Sequence, residues 1–359
     1  MNKKKRYNKA SKAKPSTSVV TGTTQRMSSV TFEKPEVVLA DLSYYYNKNS
    51  AFESDCFNVP VDRLALSQLP NINAQHGGIV QARRNMLLST YLNGGLNHIQ
   101  AMSLFLDLII FGDCYLLKMR NIFGQVIELL PLMSLYVRAK KNNDETYITS
   151  FVLPTKNDVI EYPTNDIIQV RMPDPQQQAY GLPDYLGGVN SAMLNSESTM
   201  FRRRYYNNGA HMGYIFYTND PNMTDEMEEE IRAKIENSKG VGNFKNMFVS
   251  IPDGGEKAIQ LIPVGDLNSA KDEFANIKNI SAQDLLNAHR FPAGLGGVIP
   301  ANGSNTGDVT KLRKNYMATE TKVLQDLIKH TVNNDEDLIN SPFSNKLLLN
   351  FETIKPPIE

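Results

Sequence analysis

Residues 183–209 read PDYLGGVNSAMLNSESTMFRRRYYNNG, and residues 269–292 read SAKDEFANIKNISAQDLLNAHRFP. Both are punctuated as long helices. Pro183 suits a first helical turn and Gly209 a left-handed stop. The spacing predicts a helix over 183–208, about 39 Å long at ~1.5 Å per residue, with Leu186, Val189, Met193 and Phe201 facing inward. Ser269 with Asp272 has the form of a capping box, and Phe291-Pro292 closes the second helix near Arg290. Between the two helices the pattern reads as a strand around 212–218, a helix over 224–239, and strands around 245–251 and 258–263. A small αβ insert between two long helices is therefore the architectural signature.

Upstream, residues 60–69 read as a short helix. Residues 76–92 carry Ile79, Ala82, Met86 and Leu87 at helical spacing. A third helix starts at Asn97, turns Met102, Phe105, Leu108 and Ile109 inward, and stops at Gly112. The runs Cys114–Met119 and Gln125–Leu130, joined by Arg120-Asn121-Ile122-Phe123-Gly124, form a hairpin signature, and strands follow near 147–153, 158–162 and 167–171. The fold class is α+β. Downstream, Ala293–Gly307 holds Gly294, Gly296, Gly297, Gly303 and Gly307 with Asn302, Ser304 and Asn305, the composition of a mobile loop. A helix after Asp308 should turn Leu312, Tyr316, Val323 and Leu327 inward.

The charge balance narrows the function. The chain has 359 residues, with 38 Lys+Arg against 38 Asp+Glu, so its formal net charge is zero, which argues against a generally basic nucleic-acid coat and leaves room for a local patch. The charge is unevenly placed, since Lys3, Lys4, Lys5, Arg6, Lys9, Lys12, Lys14 and Arg26 all precede the first acid, Glu33. Residues 1–29 read as a disordered basic arm, either a tether to nucleic acid or an acidic partner, or a solvated tail.

Two cysteines, Cys56 and Cys114, support neither a disulfide framework nor a cysteine zinc site and are expected to be reduced thiols. His76, His98, His211, His289 and His330 are scattered without ligand spacing. No phosphate-loop or nucleophile-elbow string occurs. The most apolar run, Ile99–Leu117, is broken by Gln100, Asp107, Gly112 and Asp113, too often for a membrane span. No catalytic residue, metal or cofactor is expected.

Two charged groups have a bland and a sharper reading. In helix 224–239, Asp225, Glu226, Glu228, Glu229, Glu230 and Glu236 stand against Arg232, Lys234 and Lys239. Acids at a helix N-terminus suit its dipole; they also offer a docking face for a basic partner. Arg202, Arg203 and Arg204 fan about 100° apart around a helix. They fit a helix C-terminus with ion pairs to a neighbouring helix or subunit better than a phosphate grip.

Four strings stand in order along the chain: Tyr180-Gly181-Leu182-Pro183-Asp184-Tyr185; Phe201 to Gly213; Ser238-Lys239-Gly240-Val241-Gly242-Asn243-Phe244; and Ala288-His289-Arg290-Phe291-Pro292. With Phe111-Gly112-Asp113-Cys114-Tyr115 and the 120–124 turn, they resemble the portal proteins of tailed bacteriophages, PBSX-type branch, over roughly residues 30–330. Ala293-Gly294-Leu295-Gly296-Gly297 departs from the family, which usually has a second proline and a bulkier segment there.

The resemblance implies the phage portal fold, assembled as a dodecameric ring that conducts double-stranded DNA without reading its sequence. It implies a wing over 30–182, stem helices over 183–208 and 268–291, a clip over 209–267, a tunnel loop over 292–308, a wing helix over 309–332 and a crown or disordered tail over 333–359. Gly294, Gly296, Gly297, Asn302, Gly303, Ser304 and Asn305 would face DNA. Arg202, Arg203, Arg204, Lys271, Asp272 and Glu273 would make stem and subunit contacts. Glu228, Glu229, Arg232, Lys239 and Asn243 would form the clip docking face. Implied partners are other copies of the chain, the terminase large subunit, major capsid and scaffolding proteins and a head-completion or connector protein, with no membrane, in a virion made in the host cytoplasm. The competing readings are a DNA-processing enzyme and a monomeric nucleic-acid-binding adaptor.

Overall fold

The computed structural model describes residues 55–155, 158–207, 214–218, 224, 226, 229–230, 247–250, 259–263, 267–296 and 308–355, with backbone alone for 205–207, 214–218, 247–250, 259–263 and 267–275. The basic arm lies outside the described residues, as do 297–307 of the glycine-rich stretch. The chain divides into two units, one including Arg204–Gly265 and the other Lys34–Arg203 with Asp266–Glu359.

The larger unit opens with α1 (Arg63–Ile72) and α2 (Ala74–Thr90). Asp62 caps α1 by accepting from the Leu64 and Ala65 amides, and Asn73 caps α2 by accepting from the His76 amide. α3 (His98–Phe111) carries a full capping box between Asn97 and Gln100 and stops at Gly112, whose φ is 79°. A short strand, β1 (Tyr91–Asn93), precedes α3, and the hairpin after it forms as expected. β2 (Asp113–Arg120) pairs antiparallel with β3 (Val126–Leu132) and, on its other edge, with β7 (Ile167–Arg171). A second sheet orders β4 (Arg138–Lys141), β5 (Ile148–Pro154) and β6 (Val159–Pro163). The main core gathers Leu87, Phe105, Leu108, Leu116, Leu285 and Ile328 between the helices and β2; a smaller one holds Tyr115, Phe151 and Tyr180.

The two long helices are α4 (Val189–Asn207) and α5 (Leu267–Ala288). α4 starts later than Pro183 predicts. Leu186-Gly187-Gly188 forms a 3-10 turn instead, because two adjacent glycines make an α-helical start expensive. α5 starts two residues before Ser269, so Ser269 and Asp272 lie inside the helix and do not cap it.

In the smaller unit, β8 (Tyr214–Thr218) runs antiparallel to β10 (Ile259–Pro263) and parallel to β9 (Met247–Ser250). A parallel pair needs a long crossover, usually helical. The intervening Glu226, Glu229 and Glu230 are helical and exposed.

The last long helix corrects a phase. α6 (Val309–Tyr316) passes through a π turn, Met317–Thr321, into α7 (Lys322–Asn333). A π turn inserts one extra residue. The buried series therefore runs Tyr316, Leu324, Ile328, Val332, while Val323, expected inside, is 63% exposed. We predict that Val323→Lys changes stability by under about 0.5 kcal/mol whereas Leu324→Ala costs about 2–3 kcal/mol, read from urea midpoints.

Of the segment after Asn333, expected as a crown or disordered tail, residues 334–351 pack onto the larger unit. Leu338, Leu347, Leu349 and Phe351 are buried in the main core, and Asn350–Phe351 pairs with Tyr91–Asn93. Lys118 bridges Asp335 at 2.9 Å and Asp337 at 2.8 Å, and Asn333 exchanges two hydrogen bonds with the Leu349 backbone.

Candidate functional site

The α4–α5 pair is held by small polar side chains. Ser191 Oγ donates to Asp284 (3.0 Å), Asn195 Nδ2 to Ser281 Oγ (2.8 Å) and Lys278 Nζ to Thr199 Oγ1 (2.5 Å). The α4 numbers rise as the α5 numbers fall, so the helices are antiparallel. The buried face of α4 is Ala192, Asn195, Ser196 and Ser198; Met193, expected inside, is 46% exposed. Small residues let the backbones approach, and the buried polar atoms then pair across the interface. Asn73 extends the grip from the α1–α2 junction, donating to Ala192 O (2.8 Å) and Asn195 Oδ1 (3.2 Å).

At one end of this pair, three of the motifs singled out in the sequence converge. The backbones of Gly112 and Gly181 touch: a Cβ on Gly181 would lie 2.0 Å from Gly112 O. Asp113 accepts from the Gly181 amide (3.1 Å), the Tyr115 hydroxyl (3.0 Å) and Arg63 (2.5 Å). The Arg63 guanidinium also lies over the Tyr180 ring, 4.9 Å from its centroid. Three residues on, Asp184 takes a two-pronged contact from the buried Arg83 (2.9 and 2.7 Å) and a third bond from Arg290 (2.5 Å). Burial pushes the Asp184 carboxyl up, but the two arginines outweigh it and hold it below its ordinary value.

Arg83 fixes the protons of a buried histidine pair. Its guanidinium faces His289 Nδ1 at 3.1 Å, and His289 Nε2 faces His76 Nδ1 at 2.9 Å. Arginine can only donate. His289 therefore accepts at Nδ1 and carries its proton on Nε2, which donates to His76. His76 must then carry its own proton on Nε2, and that buried atom has no hydrogen-bond partner. Burial, then Arg83, lowers His76 to about 4; burial, Arg83 and His76 lower His289 to about 2.

Both rings are neutral in the fold and titrate at about 6.5 in the unfolded chain. Below pH 6.5 the unfolded state binds more protons, so the contribution present above that pH is lost as pH falls toward 4 and then 2. We predict a loss of up to about 1.4 kcal/mol per pH unit per histidine between pH 6 and 4.5. Urea midpoints across that window should follow it, and His289→Gln should remove about half the slope.

The sequence-predicted site residues fare unevenly. Gly294 and Gly296 lie in a short helical turn, Ala293–Gly296, and are half-buried rather than free in a loop. A Cβ on Gly296 would lie 2.8 Å from Leu286. Gly297, Asn302, Gly303, Ser304 and Asn305 lie outside the described residues. Arg202 and Arg203 are exposed and Arg204 half-buried at the end of α4; burial, then Arg202, lowers the Lys278 ammonium. Lys271, Asp272 and Glu273 fall in α5, their side chains outside the description. Of the clip candidates, Glu229 is helical and exposed, and Glu228, Arg232, Lys239 and Asn243 lie outside the described residues.

Sequence reasoning missed Asn73, His76, Arg83, Asn195 and Glu320, which carry the joint. Among the described residues, no cluster of His, Cys, Asp or Glu is placed to hold a metal, and no helix is long and apolar enough to cross a membrane.

Known proteins are similar to this chain in sequence and fold. The sequence model of the phage portal protein family matches residues 65–346, spanning both long helices and the insert. It describes the family as a whole and singles out no branch. A probable portal protein of Haemophilus phage HP1 is 49% identical over 86% of this chain and 90% of its own length. A probable portal protein of Escherichia phage P2 is 34% identical over 88% and 90%. Among solved structures, a chain from the neck of a native gene transfer agent particle aligns with a TM-score of 0.58 over 84% of this chain and 87% of its own, at 13% identity. A chain from the virion of such a particle gives 0.54 over 82% and 84%, at 14% identity. With the family model covering most of the chain and a relative nearly half identical, the chain belongs to the phage portal protein family.

Proposed function

We propose that the chain is the repeating subunit of a closed ring at one capsid vertex, through which double-stranded DNA is packaged and later ejected. The portal-vertex role in DNA packaging follows from the family. The observation that carries it is a family match that includes α4, the β8–β9–β10 unit and α5 in a single span. α4 and α5 serve as the stem, residues 209–267 as the clip that receives terminase and later the connector protein, and residues 292–308 as the tunnel loop. The ring has twelve subunits, a number supported by the twelvefold symmetry with which the related particle neck was computed. Head-to-tail contacts close such a ring on themselves.

The chain acts as a conduit rather than an enzyme, with packaging energy supplied by the terminase. A formally neutral chain suits the task, because DNA carries one charge per about 1.7 Å of axis and strong cationic grips would arrest it. The test is packaging into capsid precursors assembled with or without the full chain, measured as nuclease-protected double-stranded DNA. Precursors containing it should protect DNA and those lacking it none; equal protection would overturn the reading.

A further inference from the structure

Arg290 occupies a backbone position that favours glycine, yet its side chain ties two acidic partners, Glu320 and Asp184, into the joint. α5 ends in a Schellman turn, with the Phe291 amide bonding Leu286 O at 2.8 Å and the Arg290 amide bonding Asn287 O at 2.9 Å. The left-handed position of that turn is Arg290 itself, at φ 50°. A side chain there is strained, and glycine would be relaxed. The guanidinium ties two other elements to this turn. Its Nε donates to Glu320 Oε2 at 2.7 Å and one NH2 group to Asp184 Oδ2 at 2.5 Å. Asp184 stands just before α4, and Glu320 lies in the π turn of the last long helix.

The π turn has a second register within reach. Removing its extra residue would bring Val323 and Leu327 onto the face that Leu324 and Ile328 now fill. These two pairs are apolar and similar in size, and the register is discriminated mainly at the third position, where the shift would replace the buried Val332 with Thr331. The same turn buries Thr321 Oγ1 without a partner. Glu320 is the residue of the turn tied to another element by charge.

We infer that Arg290 is an electrostatic latch that fixes the ends of the paired helices to the last helix, and that the π turn Met317–Thr321 is the hinge that relaxes when the latch opens. The inference concerns the joint and is independent of what passes through a ring.

Arg290→Gly separates the two roles of the residue, because it gives the backbone its preferred occupant while removing both ionic ties. Hydrogen–deuterium exchange of the full chain reads the hinge. In R290G the amides of residues 316–324 should exchange about tenfold faster than in the wild type, with α3 and β2 unchanged. Glu320→Gln, which leaves the Asp184 tie intact, should produce a smaller increase confined to the same residues. Because Arg290 is about half exposed, raising salt to about 1 M should move the wild type toward R290G and leave R290G itself unchanged. Unchanged exchange at 316–324 in both variants would overturn the latch. If R290G fails to fold, E320Q decides: local acceleration supports the latch, and wild-type exchange or uniform acceleration across the chain refutes it.

Discussion

Asp184→Ala will destabilise the fold by about 3–5 kcal/mol, a large share of the stability of a unit this size. The side chain of Asp184 is small, so lost packing is a minor part. The main effect falls on Arg83, whose side chain is 2% exposed and whose ionic partner is Asp184. Without that carboxylate, a cation sits in the core facing two imidazoles that cannot neutralise it. Arg290 suffers less, because it keeps Glu320 and reaches solvent. Removing one member of a buried pair costs far more than replacing both. Adding Arg83→Met to Asp184→Ala should therefore recover at least about half of the loss. Urea unfolding of the single and double variants checks this; a double variant no more stable than Asp184→Ala would show that the charge is not the cause.

Gly181→Ala should be comparably severe for a different reason. The added methyl would meet the backbone carbonyl of Gly112 at 2.0 Å, and a backbone atom cannot rotate away as a side chain can. Gly112 has a φ of 79° as the stop of α3, so it is held on both sides. Separating the two strands of chain would also stretch the Gly181 amide from Asp113, the carboxylate that neutralises Arg63. A loss of about 3 kcal/mol or more is expected, beyond ordinary overpacking. Gly187→Ala, a few residues away, has nothing within 4 Å of its new methyl and should be near neutral. Thermal unfolding of the two alanine variants side by side makes the comparison.

Elements with strong local signals were legible in the sequence. Asn97 and Gly112 bracket α3, the Asn121–Gly124 turn joins β2 to β3, and the two long helices with their insert follow from periodicity and punctuation. What was not legible depends on partners distant in sequence. The inner face of α4 is polar, so apolar periodicity placed Met193 inside while Asn195 and Ser198 are the buried residues. Nothing local distinguishes Asn195 from a solvated asparagine; its bonds to Asn73 and Ser281 span 122 and 86 residues. The phase error at Val323 has a similar origin, since a π turn leaves no compositional mark. His289 and Asp184 lay inside motifs that were recognised, but their shared partner Arg83 lay in none of them. The glycines after Pro292 suggested a free loop, yet Gly296 packs on Leu286, whose side chain would have to shift to admit a methyl. A bulky residue at Gly296 would therefore disturb the end of α5 as well as whatever follows it.

Whether this chain closes into a portal ring is decided by native mass spectrometry of the purified full chain, supported by electron microscopy. A dominant closed assembly of about twelve copies with a central hole is expected, formed by the chain alone or on adding its capsid and scaffolding proteins. A chain that stays monomeric or dimeric at all concentrations and in the presence of those proteins would contradict it.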